Sequence, residues 1–150
     1  GPGAAFLLGA ELVITNDVLV LMGDNAFAPG DVENVACSPT PLGVGISIVM
    51  EHEARRYTRF AKNWKDGTAE GPDVNPATEA WDDGMYRVWC GPLYVPTDPL
   101  SAVLLEADDG VSELKLGKYL GRLDCTPSLL ACETRDIGTP EDVNGADRVR

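Results

Sequence analysis

Glycine and proline recur so often along this chain that long uninterrupted helices or strands are unfavourable over most of it. Its 16 glycines and 11 prolines supply 27 of the 150 residues, and each favours a turn, a bulge or the end of an element. Many short elements are typical of β-rich folds. We therefore expect a mostly β single domain, a sandwich or distorted barrel, with one helix near residues 51–64 and a few short helical turns. The alternative is an α+β fold in which that helix packs on the sheet.

The length and composition suit one domain. Apolar residues make up 44% of the chain and charged residues 24%, as in ordinary globular proteins. We expect residues 1–136 to form one β-rich domain. Residues 137–150 are poor in apolar side chains and are expected to form a loosely attached C-terminal tail.

Apolar runs mark the strand candidates. Residues 11–15 and 18–22 predict a hairpin joined at Asn16 and Asp17, which tolerate turn geometry. The alternation along residues 44–50 predicts another strand. Further candidates are residues 85–89 and 93–95, where the intervening Gly91 and Pro92 predict a bulge or a sheet edge.

Residues 101–117 are ambiguous between a hairpin and a helix. We favour a hairpin that turns at Asp108-Asp109-Gly110, because a helix starting near Pro99 would place two acidic residues at its negative end. Capping residues followed by proline predict the starts of three short helices. They occur at Asn75-Pro76, Thr126-Pro127 and Thr139-Pro140.

Residues 51–64 have apolar side chains at helical spacing, and the basic side chains fall mostly on the opposite side. Acidic residues near the start and Gly67 beyond the end also suit a helix. A strand continuing from residue 50 is the alternative, although neither of its faces would be apolar. We favour the helix.

Charge is distributed unevenly in this acidic chain. There are 12 Lys and Arg against 24 Asp and Glu, for a net charge of -12, which opposes general binding to nucleic acid. Five of the 12 basic residues lie within residues 55–65, whereas residues 66–84 carry six acids and no base. We predict that these five residues bind a partner, and we call them the basic strip: Arg55, Arg56, Arg59, Lys62 and Lys65. Its alternative role is to neutralise the acidic segment within one fold.

The sequence offers few candidates for catalysis. It lacks the GxSxG, P-loop, GxGxxG, HExxH and SxxK patterns and contains one histidine, His52. Glu51 and Glu53 would lie about 7 Å apart on a strand, as paired carboxylates of hydrolases can, but would diverge on the favoured helix. We therefore expect a non-enzymatic function.

We expect that no cofactor is bound. Among the possible cofactors, calcium is the one that the residues suit best. The candidate oxygen ligands occupy one acidic stretch: Asp73, Asn75, Glu79, Asp82 and Asp83. Their spacing does not match an EF-hand, because Thr78 replaces the required glycine and Gly84 the closing glutamate.

The four cysteines leave their oxidation state open. No CxxC pair occurs, so a zinc site is not expected. Cys125 and Cys132 enclose six residues and can bridge a short loop, or remain small buried side chains in a reducing compartment. Pairings that involve Cys37 and Cys90 are also open.

These observations favour a protein-interaction or structural assembly module that binds a protein partner or itself, as in a shell, an appendage or an extracellular assembly. The alternatives are a small-ligand or calcium-dependent binding domain and a carboxylate-based hydrolase. The longest apolar runs are shorter than the roughly 20 residues that span a bilayer. An extracellular or assembly-associated setting is favoured over the cytoplasm.

Overall fold

A computed structural model describes residues 1–60, 69–70 and 83–138 of the chain. It has an α+β architecture in which helices pack against one mixed sheet. The helices are α1 (Pro2–Ala10), α2 (Asp31–Ala36), α3 (Glu51–Ala54), α4 (Thr97–Ala107) and α5 (Leu116–Tyr119), followed by a 3-10 turn at Leu120–Arg122. The strands are β1 (Asp17–Val20), β2 (Asn25–Ala26), β3 (Leu42–Val49), β4 (Arg59–Phe60), β5 (Ala69–Glu70), β6 (Tyr86–Pro96), β7 (Pro127–Ala131) and β8 (Arg135–Asp136).

The sheet is organised around β6, its longest strand. The strand order is β5-β4-β6-β3-β7, and β1 pairs antiparallel with the C-terminal part of β6. Strand β7 runs parallel to β3, while the other pairings in this sheet are antiparallel. A second, two-stranded sheet joins β2 to β8. The main sheet does not close into a barrel, so that prediction is wrong, and within the described residues the second pairing is too short to form the other layer of a sandwich. The α+β alternative fits the structure instead of the mostly β fold.

One face of β3 builds the main core. Val44 and Ile46 point to the same face because side chains alternate along a strand, and they pack with residues from α1, α4 and α5. Leu100 and Leu104, one helical turn apart in α4, are fully buried there. These three helices cover this face of the sheet, and α3, the described helical turn at the start of residues 51–64, contributes no residue to this core.

The other face of β3 carries Gly43, Gly45, Ser47 and Val49. A Cβ on Gly43 would lie 2.6 Å from Ser38 Cβ, so this glycine permits the close approach of the segment after α2. Ser47 and Val49 of this face line the cleft described below, whereas Gly43 and Gly45 are covered by neighbouring segments.

The predicted strand at residues 44–50 is confirmed as β3. The two predicted strands around Gly91 and Pro92 are one strand, β6, and the predicted bulge is confirmed by a register shift opposite Gly45. Strand β1 also agrees with the predicted strand at residues 18–22. Its hairpin partner at residues 11–15 is not a strand, because β1 pairs with the distant β6.

The hairpin predicted at residues 101–117 is wrong, and the competing helix is present as α4. The two aspartates do not extend the helix, which ends at Ala107. Their carboxylates instead accept hydrogen bonds from loop N–H groups, Asp108 from Gly110 and Asp109 from Val111 and Ser112. These bonds stabilise the turn that follows α4.

The predicted helix over residues 51–64 is wrong within its described part. It ends after one turn at Ala54, and Arg59–Phe60 forms strand β4 against β6. Phe60 enters the main core, while Arg59 lies on the opposite side with its guanidinium 5.9 Å from the centroid of the Tyr86 ring. Pairing with β6 therefore overrides the local helical spacing.

The helix predicted to start at Thr126-Pro127 is also wrong, because Pro127 begins β7. Proline is tolerated at the first residue of an edge strand. The helix starts predicted at residues 75–76 and 139–140, and the predicted tail from residue 139 onward, lie outside the described residues. The proposed domain boundary stays a prediction. Among the described residues, no helix has the length and apolar character needed to cross a membrane.

Candidate functional site

A cleft of about 510 Å³ opens on the sheet face opposite the helical core. Its walls come from β3, α3 with the turn after it, β6 and the segment around β8. The residues that line it are Ser47, Ile48, Val49, Glu53, Arg56, Tyr57, Val88, Cys90, Thr134, Arg135 and Asp136. The volume falls within the usual range for sites that hold small ligands.

Side chains of both charges surround the opening of the cleft. Arg56 lies 4.0 Å from Asp136, and its side chain is 53% exposed. Arg135 is exposed, and Glu53 supplies another carboxylate. Because these charges remain accessible to water, their pairing contributes little to stability and leaves them able to contact a bound molecule.

A buried carboxylate holds one wall of the cleft in place. Asp31, at the start of α2, is 6% exposed. Its Oδ2 accepts a 2.6 Å hydrogen bond from the Thr134 hydroxyl and a 3.0 Å bond from the Glu133 backbone N–H. These bonds join two segments more than 100 residues apart in sequence and fix the position of Thr134, which lines the cleft.

Two cysteines from distant parts of the sequence meet beside this wall. Cys90 in β6 lines the cleft, and Cys132 follows β7. Hydrogen bonding from the Cys132 thiol lowers the pKa of Cys90, while burial opposes that effect and Ser47 reinforces the lowering. The same contact raises the pKa of Cys132, as does burial. The arrangement therefore favours the thiolate on Cys90 and the thiol on Cys132.

The basic strip is divided by the fold. Arg55 is exposed and pairs with Glu51 at 2.9 Å, Arg56 lines the cleft, and Arg59 is buried at 3% exposure. Lys62 and Lys65 lie outside the described residues. Partner binding by these five residues stays a prediction, and only Arg55 and Arg56 among the described three present exposed guanidinium groups.

The structure does not bring together the carboxylates of Glu51 and Glu53, which the sequence analysis considered as a catalytic pair. Glu51 pairs with Arg55, while Glu53 lines the cleft and His52 is exposed on the same helical turn. Helical geometry separates the two glutamates, as the sequence analysis expected for a helix. The hydrolase hypothesis therefore gains no support from the described residues.

Most of the predicted calcium ligands lie outside the described residues: Asp73, Asn75, Glu79 and Asp82. Asp83 is described, and its carboxylate receives hydrogen bonds from Arg87 and from the Met85 backbone N–H. The Arg87 side chain, followed by that backbone bond, lowers the pKa of Asp83. Calcium binding stays a prediction.

A second candidate site is an apolar surface around α1 and β1. We define the N-terminal apolar surface by its exposed members, which are Leu8, Leu12, Val13, Ile14 and Leu21. Ile14 is 100% exposed and Leu12 is 85% exposed. Beside them, α1 and β1 border a groove of about 480 Å³ lined mainly by apolar residues. Val13 and Leu21 also line this groove, so exposed apolar side chains and an apolar groove occur in the same segment, as in many surfaces that bind another molecule.

Sequence reasoning missed both the thiol pair and the apolar surface. It considered Cys125 with Cys132 because they are close in sequence, but Cys125 packs against the main core and Cys132 lies beside Cys90. The apolar surface was interpreted as a strand in a hairpin. The glycines on alternate positions of β3 were the available signal that other segments approach this face closely, as Cys132 does at Gly45.

No protein-family model matches the chain, and no curated protein matches it at a significant level. Its candidate function therefore rests on its own residues and geometry.

Proposed function

We propose that this protein is a non-enzymatic interaction or structural assembly module that associates with a second copy of itself through the N-terminal apolar surface. The observation that carries the proposal is the exposure of Leu12 and Ile14 beside an apolar groove in the same part of the chain. Large apolar side chains gain free energy when they leave water, about 25 cal/mol for each Å² of apolar surface buried.

Self-association is favoured over another occupant because projecting side chains and groove adjoin each other. In a two-fold dimer, the projecting residues of one copy can enter the groove of its partner while the reciprocal contact forms at the same time. Strand β1 adds to this surface, because within the described part of the chain it pairs only with β6 and leaves its other edge unpaired. Two such edges can also pair with each other.

The test is the absolute molar mass in solution, measured by light scattering over a range of concentrations. We expect a discrete oligomer for the native chain and a marked shift toward monomer for Leu12→Ser combined with Ile14→Ser. Both side chains are exposed in the single chain, so the variant should keep the native fold by circular dichroism, and its melting temperature should fall only by the contribution of association.

Met50→Ser is the matched control. Met50 is also apolar and 57% exposed, but it precedes α3 beside the cleft rather than α1. We expect this variant to retain the molar mass of the native chain. A monomeric native protein at every concentration, or equal dissociation by the control, would contradict the proposed surface.

The cleft supports a second candidate function, the binding of a small ligand. Its volume and the accessible charges of Glu53, Arg56 and Arg135 suit a small polar molecule. The calcium-dependent form of this candidate is tested separately, since it requires a lower melting temperature in the presence of a chelator. An unchanged melting temperature with and without added calcium would contradict that form.

A further inference from the structure

The sheet creates a space in which two thiols face each other across β3. Gly45 in β3 lies opposite the bulge of β6 that contains Cys90, and the Ile46 carbonyl accepts a 2.9 Å hydrogen bond from the backbone N–H of Cys132. A Cβ on Gly45 would lie only 3.1 Å from Cys132 Sγ. The missing side chain therefore allows Cys132 to reach over β3 toward Cys90.

The surroundings of the two sulfurs suit exchange chemistry. Cys90 is 8% exposed but lines the cleft, whose opening carries the exposed guanidinium groups of Arg56 and Arg135. Ser47 donates a further hydrogen bond that favours the thiolate and helps to lower the pKa of Cys90. The carboxylates of Glu53 and Asp136 line the same cleft and offset these cations, so access to Cys90 depends on the size of the cleft rather than on attraction of an anion.

We propose that Cys90 and Cys132 form a redox-active dithiol at the floor of the cleft, with a low-molecular-mass disulfide as the co-reactant. Cys90 is the attacking thiolate and Cys132 is the resolving thiol. This site is independent of the proposed self-association surface, which involves α1 and β1.

The reaction proceeds in two exchange steps. The Cys90 thiolate attacks one sulfur of the small disulfide, forms a mixed disulfide and releases one small thiolate. Cys132 then loses its proton and attacks the Cys90 sulfur, which forms the internal disulfide and releases the second small thiolate. The dithiol loses two electrons and two protons, and one small disulfide becomes two small thiols.

The other two cysteines provide internal comparisons. Cys37 is exposed, whereas Cys125 is partly buried and burial raises its pKa, with the neighbouring Asp124 adding to that effect. Cys37 can form a mixed disulfide at the surface without a resolving partner. Cys125 should react slowly because less of it is ionised.

The first measurement uses the full native chain and oxidised glutathione. Peptide mass spectrometry should identify a Cys90–Cys132 disulfide, together with a glutathione adduct on Cys37. A Cys125–Cys132 disulfide, or no internal disulfide while Cys37 becomes fully modified, would overturn the proposal.

Variants then test which cysteine attacks the small disulfide and which one resolves the mixed disulfide. Starting from the chain with Cys37→Ser and Cys125→Ser, we expect oxidised glutathione to produce the internal disulfide without a lasting adduct. Adding Cys132→Ser should trap glutathione on Cys90, whereas adding Cys90→Ser should leave Cys132 modified more slowly, because burial still raises the pKa of Cys132 after its contact with Cys90 is removed. Equal modification rates at the two positions would contradict their assigned roles.

The pH dependence of the reaction with oxidised glutathione distinguishes a redox-active pair of cysteines from two cysteines that only pack together. In the native chain, formation of the Cys90–Cys132 disulfide should rise at lower pH than modification of Cys125, because the pKa of Cys90 is lowered, although burial and the nearby Asp31 carboxylate oppose this, and that of Cys125 is raised. Coincident pH profiles would overturn the proposal. Circular dichroism melting confirms that each variant used in the comparison remains folded.

Discussion

At the scale of single residues, Asp109 shows how a side chain that looked unsuitable for a helix can stabilise the turn after it. Its carboxylate accepts bonds from the backbone N–H groups of Val111 and Ser112 and from the Ser112 hydroxyl, at 2.7 to 2.9 Å. The bonds from Ser112, followed by the one from Val111, lower the pKa of Asp109 from its ordinary 3.8 to about 2.

This contact predicts a pH-dependent loss of stability in Asp109→Ala. Because the folded-state pKa is below 3.8, ionised Asp109 favours the fold, and its contribution is complete above that pH and disappears as pH falls through about 2. We expect a lower melting temperature than for the native chain at neutral pH, and a shrinking difference in strong acid.

Asp108→Ala is the comparison for this experiment. Asp108 accepts one backbone bond, from Gly110 at 2.9 Å, so its removal should lower the melting temperature less. If repulsion between Asp109 and the negative end of α4 were the larger effect, Asp109→Ala would instead raise the melting temperature. That result would refute the stabilising role assigned to the turn.

At the scale of elements, α1 depends on a close approach that only glycine permits. The backbone N–H of Gly3 donates a 2.8 Å hydrogen bond to the Leu114 carbonyl, and a Cβ on Gly3 would overlap that oxygen. We expect Gly3→Ala to destabilise the protein by about 1–3 kcal/mol, the usual cost of overfilling a packed contact. Chemical denaturation measures this change in the free energy of unfolding.

Gly9→Ala is the matched substitution in the same helix. No atom lies within 4 Å of a Cβ at this position, so helix propensity should stabilise the single chain by up to about 1 kcal/mol. Because Gly9 also lines the groove of the proposed interface, the comparison is made at a concentration at which the variants are monomeric. Equal effects of the two alanines would show that the contact with Leu114 does not hold α1 in place.

At the scale of the whole molecule, the net charge of -12 opposes the approach of two copies. If the N-terminal apolar surface joins them, added salt should leave association unchanged or strengthen it, because salt screens this repulsion without weakening apolar contact. Light scattering at low and high salt measures the effect. Dissociation by salt would instead support charge pairing through the basic strip.

Charge reversal provides an independent check of the same interface. Arg55→Glu combined with Arg56→Glu makes the net charge more negative, so it should weaken association at low salt and have little effect at high salt. Arg59 is left unchanged because it is buried, and a glutamate there would destabilise the fold. Weakening that persists at high salt would identify Arg55 or Arg56 as a direct contact.

The sequence by itself determined features that depend on neighbouring residues. Alternation along residues 44–50 predicted β3, and Gly91 with Pro92 predicted the bulge in β6, because side-chain period and backbone restriction are local properties. The glycine and proline content also correctly predicted many short elements.

Only the tertiary structure decided where those elements meet. Residues 59–60 form a strand because they pair with β6, and α4 is stabilised because Leu100 and Leu104 pack in the core. Cys132 lies beside Cys90 rather than beside Cys125. Each outcome depends on contacts between segments distant in sequence, and the free energy of those contacts exceeds weak local preferences. The cleft and the thiol pair were hidden from the sequence for the same reason, since distant segments form them, whereas the N-terminal apolar surface lies within one stretch and was missed because its exposure depends on what packs beside it.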